Sequence, residues 1–170
     1  MRKFAVVILA LVALLVLSGS AYGRETFRFQ ADLAGANEVP PVTTETSGDV
    51  TVRFDRDLTE ARFRINVDEG QAVTMAHLHC APVGVNGPIV AFLFGAVPGG
   101  FDVDGRLAKF TLTDANITAI SPHPNCIATI GMDINSIADL AQAMRQGKIY
   151  ANAHTVAHPG GEIRGQLEED

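Results

Sequence analysis

The sequence predicts an all-β domain, an antiparallel sandwich or barrel. Three observations carry this reading. Apolar residues recur at every second position in several short segments, Gly and Pro punctuate the intervals between them, and a single segment has helical spacing. Phe27, Phe29, Ala31 and Leu33 alternate with polar residues and form a first half-buried strand, which Asn37-Glu38-Val39-Pro40-Pro41 breaks. Val50, Val52 and Phe54 alternate again. A turn over residues 55–60 returns the chain through Ala61, Phe63, Ile65 and Val67, so this pair reads as a β-hairpin.

Residues 73–80 form another predicted strand, and the Pro, Gly and Asn-Gly signals of residues 81–87 turn the chain. Residues 88–94 are apolar on both faces, as in a strand buried in a sandwich core. Residues 97–105 read as a Gly- and Asp-rich loop, residues 107–112 as a strand, and residues 149–155 and 162–167 as the last two. The one predicted helix starts at Ser136, an N-cap with Asp139 three positions on. Ile137, Leu140, Ala141 and Met144 share its apolar face, and Gly147 can end it. It reads as a structural flap over one end of the sheets.

The chain has 170 residues, which points to one domain. Residues 1–23 read as a secretory signal peptide: Arg2 and Lys3, an apolar run over residues 4–17, then a small-x-small site at Ala21-Tyr22-Gly23. A membrane anchor is the other reading, but the run is shorter than the ~20 residues a bilayer needs. The mature domain then covers residues 24–170, secreted or periplasmic, with no membrane span. It carries 11 basic against 19 acidic residues, net −8, which argues against nucleic acid as a partner. Export places Cys80 and Cys126 in an oxidising compartment, where an even count predicts a disulfide; a thiolate metal ligand is the alternative.

Of the five histidines, His77 and His79 are separated by one residue on a predicted strand, so both rings leave the same face. His154 lies on another strand. If the two strands are close, three imidazoles converge on a set suited to copper or zinc rather than calcium or magnesium. The plainer alternative makes all three structural hydrogen-bonding residues. His123 lies in a Pro-flanked loop, and His158 precedes Pro159-Gly160-Gly161, where it can lean towards the same site. Glu162 and Arg164 share a face of the last strand, as an ion pair or as supports for a histidine, with the ion pair preferred. The Gly-rich stretches lack the strand-to-helix context of a phosphate loop, and there is no Gly-x-Ser-x-Gly.

Three segments together resemble the CHRD domain. Residues 33–42 (LAGANEVPPV) are similar to its opening motif. Ala76-His77-Leu78-His79 and residues 84–90 (GVNGPIV) resemble its centre, and residues 150–155 (YANAHT) with residues 159–167 (PGGEIRGQL) resemble its end. The resemblance implies a Greek-key β-sandwich of the superoxide-dismutase-like or immunoglobulin-like kind, with His77, His79 and His154 in the places of copper ligands. The dismutase pattern also needs a metal-bridging His and further zinc ligands, six histidines in all, and no His lies between His79 and Pro88. The resemblance therefore implies a non-catalytic extracytoplasmic module that binds a protein, a polymer or its own copies. A copper- or zinc-binding protein is the alternative, and dismutase-like activity ranks third. The leader reading is checked by N-terminal sequencing of exported protein: the mature chain should begin near Arg24, and a chain starting at Met1 would refute it.

Overall fold

A computed structural model describes residues 27–120 and 125–170, so the leader read from residues 1–23, and His123, lie outside the described residues. In chain order the elements are β1 (Arg28–Ala34), β2 (Ser47–Phe54), β3 (Ala61–Cys80), β4 (Ile89–Phe94), β5 (Phe101–Leu112), α1 (Asp114–Thr118), α2 (Cys126–Ile130), α3 (Ile137–Arg145), β6 (Ile149–Thr155), β7 (Ile163–Gln166) and β8 (Glu168–Glu169). The sheet runs β2-β1-β7-β6-β3-β4, and β2 also pairs with β3, so β1, β7, β6, β3 and β2 close a ring. Every pairing is antiparallel. The fold is thus all-β and barrel-like, as the alternation predicts.

The two predicted strands over residues 61–67 and 73–80 are one 20-residue strand, β3. It bends between them. Its register shifts at Val67/Gly70 and Gly70/Val73, and Glu69 and Ala72 take φ of 56° and 48°, in the left-handed region. At Gly70 a Cβ would stand 2.7 Å from Val67 Cγ1 and 2.9 Å from Val73 Cγ2, so the bend packs too closely for a side chain there. The first half of β3 pairs with β2 and β5, the second half with β6 and β4. In the first half only alternate residues, Ala61, Phe63, Ile65 and Val67, are buried; from Ala76 to Cys80 every residue is. The second half is therefore covered on both faces.

The core between the strands holds Phe29, Leu33, Val50, Val52, Phe54, Ile65, Leu78, Ile149 and Ile163. Helix α3 packs onto it with Ile137, Leu140, Ala141 and Met144, the four residues of the predicted apolar face. Its Ser136 cap accepts from the Asp139 N–H, and Gly147 leaves the helix with φ of 65°. Two further short α-helices and a 3-10 turn over Gly35–Asn37 correct the expectation of a single helix. Helix α1 is held by a capping box of Thr113 and Asn116, and α2 by the Asn125 side chain and by Gly131 in the left-handed conformation. Five residues each are too few to show a period. Strand β5 also begins at Phe101, inside the expected loop.

Cys80 and Cys126 form a disulfide that ties the end of β3 to α2 across 46 residues. Closing a loop of that length is worth about 4 kcal/mol in the chain-entropy account. Cys126→Ser, with Cys80→Ser to avoid a stray thiol, should lower the unfolding free energy by roughly that amount in urea titrations. A change below about 1 kcal/mol would contradict that account of the cross-link.

Candidate metal centre

The pleat assembles the site. In the β3–β6 register, Met75 faces His154, His77 faces Asn152 and His79 faces Tyr150. Side chains two apart share a face, so His77, His79, Tyr150, Asn152 and His154 stand on one surface of the sheet. Strand β7 adds Arg164 opposite Asn152 and Gln166 opposite Tyr150 on that surface, and β4 adds Phe92 opposite His77. Leu78, Ala151 and Ala153, at the intervening positions, face the core. The polar surface is itself covered: His77, His79, Asn152, His154 and Arg164 are all buried.

The three histidines come together as the strand argument expects. One ligand nitrogen from each lies within 4.8 Å of the others. His77 Nδ1 is 3.1 Å from His154 Nε2. His79 Nδ1 donates to the Gly87 carbonyl at 2.8 Å, and His154 Nδ1 donates to the Pro159 carbonyl at 3.0 Å. A carbonyl only accepts, so both Nδ1 atoms carry the proton, and in the neutral ring each Nε2 presents a lone pair. Both of those Nε2 atoms face Asn152 Oδ1, at 3.0 and 3.1 Å. The His77 Nε2 atom is buried with no hydrogen-bond partner. The His79 ring stacks on Tyr150, centroids 4.7 Å apart, and the exposed Phe92 lies edge-on to His77. This donor set fits a borderline-soft cation: neutral nitrogens, two of them oriented from behind by a backbone carbonyl, around a point with no N–H aimed into it from His79 or His154.

Burial keeps the rings neutral. It holds the His77 pKa down at about 3, helped by the neighbouring His154 and His79. Burial also holds His79 at about 4, against the opposing hydrogen bond to Gly87, and lowers His154.

Glu162 and Arg164 correct the expected ion pair. Glu162 precedes β7, and its carboxylate accepts from Thr44 Oγ1 at 2.6 Å and from Thr155 Oγ1. Burial raises its pKa, but the threonine hydroxyls outweigh this and leave it lowered. Arg164 instead donates to Val85 O at 2.7 Å and to Asn86 Oδ1 at 3.0 Å, and its guanidinium lies 3.4 Å over the Tyr150 ring. Glu162 thus joins Thr44 to Thr155, and Arg164 lies over Tyr150, whose ring stacks on His79. His158 bonds through its backbone to Thr155 Oγ1 and is not one of the clustered ligands.

Two residues of the site, Asn152 and Glu38, went unread in the sequence. Asn152 is 3 % exposed and sits between two rings; its spacing to His154 is the same i, i+2 that singled out His77 and His79. Glu38, in the loop after β1, is buried beside it. Burial raises the Glu38 pKa, opposed by Arg164, the Val39 N–H and the Asn152 amide. Gly161 makes room for this contact: with φ of 127°, its Cβ would fall 2.5 Å from Glu38 Oε1 and 3.0 Å from Asn152 Nδ2.

The family model described as the CHRD domain matches residues 29–167. No curated protein matches the chain, and no solved structure does. The depressed histidines give a pH dependence. The unfolded chain takes up protons below about 6.5 that the fold refuses until about 4 or 3. Stability of metal-free protein is therefore full above pH 6.5 and falls as pH drops towards 4, by up to about 1.4 kcal/mol per pH unit for each such histidine. Glu38 works in the opposite sense, one group against three. Urea midpoints measured with chelator at pH 7.5 and 5.0 should fall; a flat profile would contradict this.

Proposed function

The chain belongs to the CHRD domain family, and from that premise we propose that it is a non-catalytic binding module outside the cytoplasm that holds one Cu(II) or Zn(II) ion at His77, His79 and His154. The carrying observation is the set of three buried, neutral imidazoles with ligand atoms within 4.8 Å of one another. Neutral nitrogens favour these ions over calcium or magnesium, which prefer oxygen. When bound, the ion would supply a strong positive charge where the chain otherwise gathers lone pairs. The protein's part is to fix the rings from behind through the Gly87 and Pro159 carbonyls and to keep water out with Phe92 and Tyr150.

The non-catalytic reading is supported by the near-complete burial of the ligands, which leaves a substrate little approach, and by the absence of a histidine between His79 and Pro88. The extracytoplasmic reading is supported by the residues 1–23 leader pattern and by the Cys80–Cys126 disulfide, which suits an oxidising compartment. Among the described residues no helix is long and apolar enough to cross a membrane.

The test is calorimetric titration of metal-free protein with Cu(II) and with Zn(II). Wild type should bind one ion per chain. His79→Ala and His154→Ala should each lose more than the about 10- to 100-fold that loss of an outer-shell partner costs. No binding by the wild type, or equal binding by both variants, would make the three histidines structural.

A further inference from the structure

We propose that the Asn152 side-chain oxygen is a fourth ligand, which closes the centre into a holding site without an open position. This rests on the histidine centre as the place where an ion binds.

The polarity of the contacts is the first argument. His79 and His154 each spend their one proton on a backbone carbonyl. Their Nε2 lone pairs then meet the Asn152 Oδ1, an acceptor, at 3.0 and 3.1 Å. His77 Nδ1–H can donate to His154 Nε2, but neither ring puts a proton on the Asn152 oxygen, so acceptor still faces acceptor. Rotating the amide by half a turn would place NH2 between the rings, but it would also turn Oδ1, in place of Nδ2, towards the buried Glu38 carboxyl, beside which Nδ2 now lies next to Gly161. The buried Glu38 thus holds the amide with its oxygen towards the histidines. A cation among the three acceptors converts the repulsion into binding.

Spacing is the second argument. Four ligands about 2.05 Å from an ion at tetrahedral angles lie about 3.3 Å from each other. Asn152 Oδ1 stands at 3.0 and 3.1 Å from two of the ring nitrogens, and His77 Nδ1 stands at 3.1 Å from His154 Nε2. Three edges of a four-cornered set are therefore already near that length. Arg28, Arg64 and the other charged residues of the large open groove nearby offer no comparable convergence, because acidic groups such as Asp32 and Asp49 are interspersed among them.

Four protein ligands are the mark of a closed site, whereas centres that turn over substrate keep one position for water. The oxygen of Asn152 occupies that position here.

Co(II) is the probe, because its visible bands are intense in four-coordinate sites and weak in six-coordinate ones. Full-length mature protein with Co(II) should show intense bands, and Asn152→Ala should bind Co(II) and Zn(II) more weakly by more than the about 10- to 100-fold that loss of an outer-shell partner costs, with weaker, shifted bands. Asn152→Asp, which keeps an oxygen in place, should restore both the affinity and the bands. A merely structural asparagine would give no such rescue of the spectrum. If wild type binds the ion and Asn152→Ala binds it with the same affinity and spectrum, Asn152 is no ligand and the histidine centre stands without it. If wild type binds neither ion, the histidine centre itself fails and the fourth ligand with it.

Discussion

The register between β3 and β6 is the constraint on which the site depends. A shift of one residue would turn His77 and His79 into the core and put Leu78 in their place, because side chains alternate across a strand. The core prevents that slip. Leu78, Ala151, Ala153, Ile149 and Ile163 fill the opposite face, and all are fully or almost fully buried. Hydrophobic packing on one surface of the sheet therefore sets the positions of polar atoms on the other. The bend in β3 adds to this by letting one strand serve both the hairpin with β2 and the pairing with β6.

A buried polar surface is expensive unless its groups find partners. Here the loops provide them. Gly87 and Pro159 offer carbonyls to His79 and His154, and Asn86 links Arg164 to the Val39 carbonyl. Arg164, itself 2 % exposed, draws the loop after β3 against the sheet through Val85 and Asn86 while lying over Tyr150. Glu162 does the same for the segment before β2 through Thr44. The two charged residues act on different loops, and this is why they do not pair with each other.

What was legible in the sequence follows physical range. Alternation marked β1, β2 and the first half of β3, since a half-buried strand prints its period on the chain. Four residues at helical spacing and a Ser cap marked α3, and every one of the four is buried. The bend at Gly70 looked like a break because Asp68, Glu69 and Gly70 interrupt the apolar pattern, yet pairing to β5 carries the strand through. Helices α1 and α2 depend on caps and on Cys126 rather than on a period. His77, His79 and His154 were readable as residue types, whereas Asn152 and Glu38 were not, because neither stands out until the fold brings Asn152 between two imidazoles and Glu38 beside Asn152. The pairing expected of Glu162 with Arg164 assumed that both belong to one strand, but Glu162 lies just outside it.

His77 and His154 are 77 positions apart in the chain, yet their rings touch. No local segment can therefore make the centre. His77 and His79 are neighbours in the unfolded chain, but the third imidazole joins them only once β6 pairs with β3. Capture of an ion by all three imidazoles would therefore need the β3–β6 pairing already in place. Which metal the protein acquires would be decided by what is dissolved around it at the place where the fold is completed, not where the chain is made.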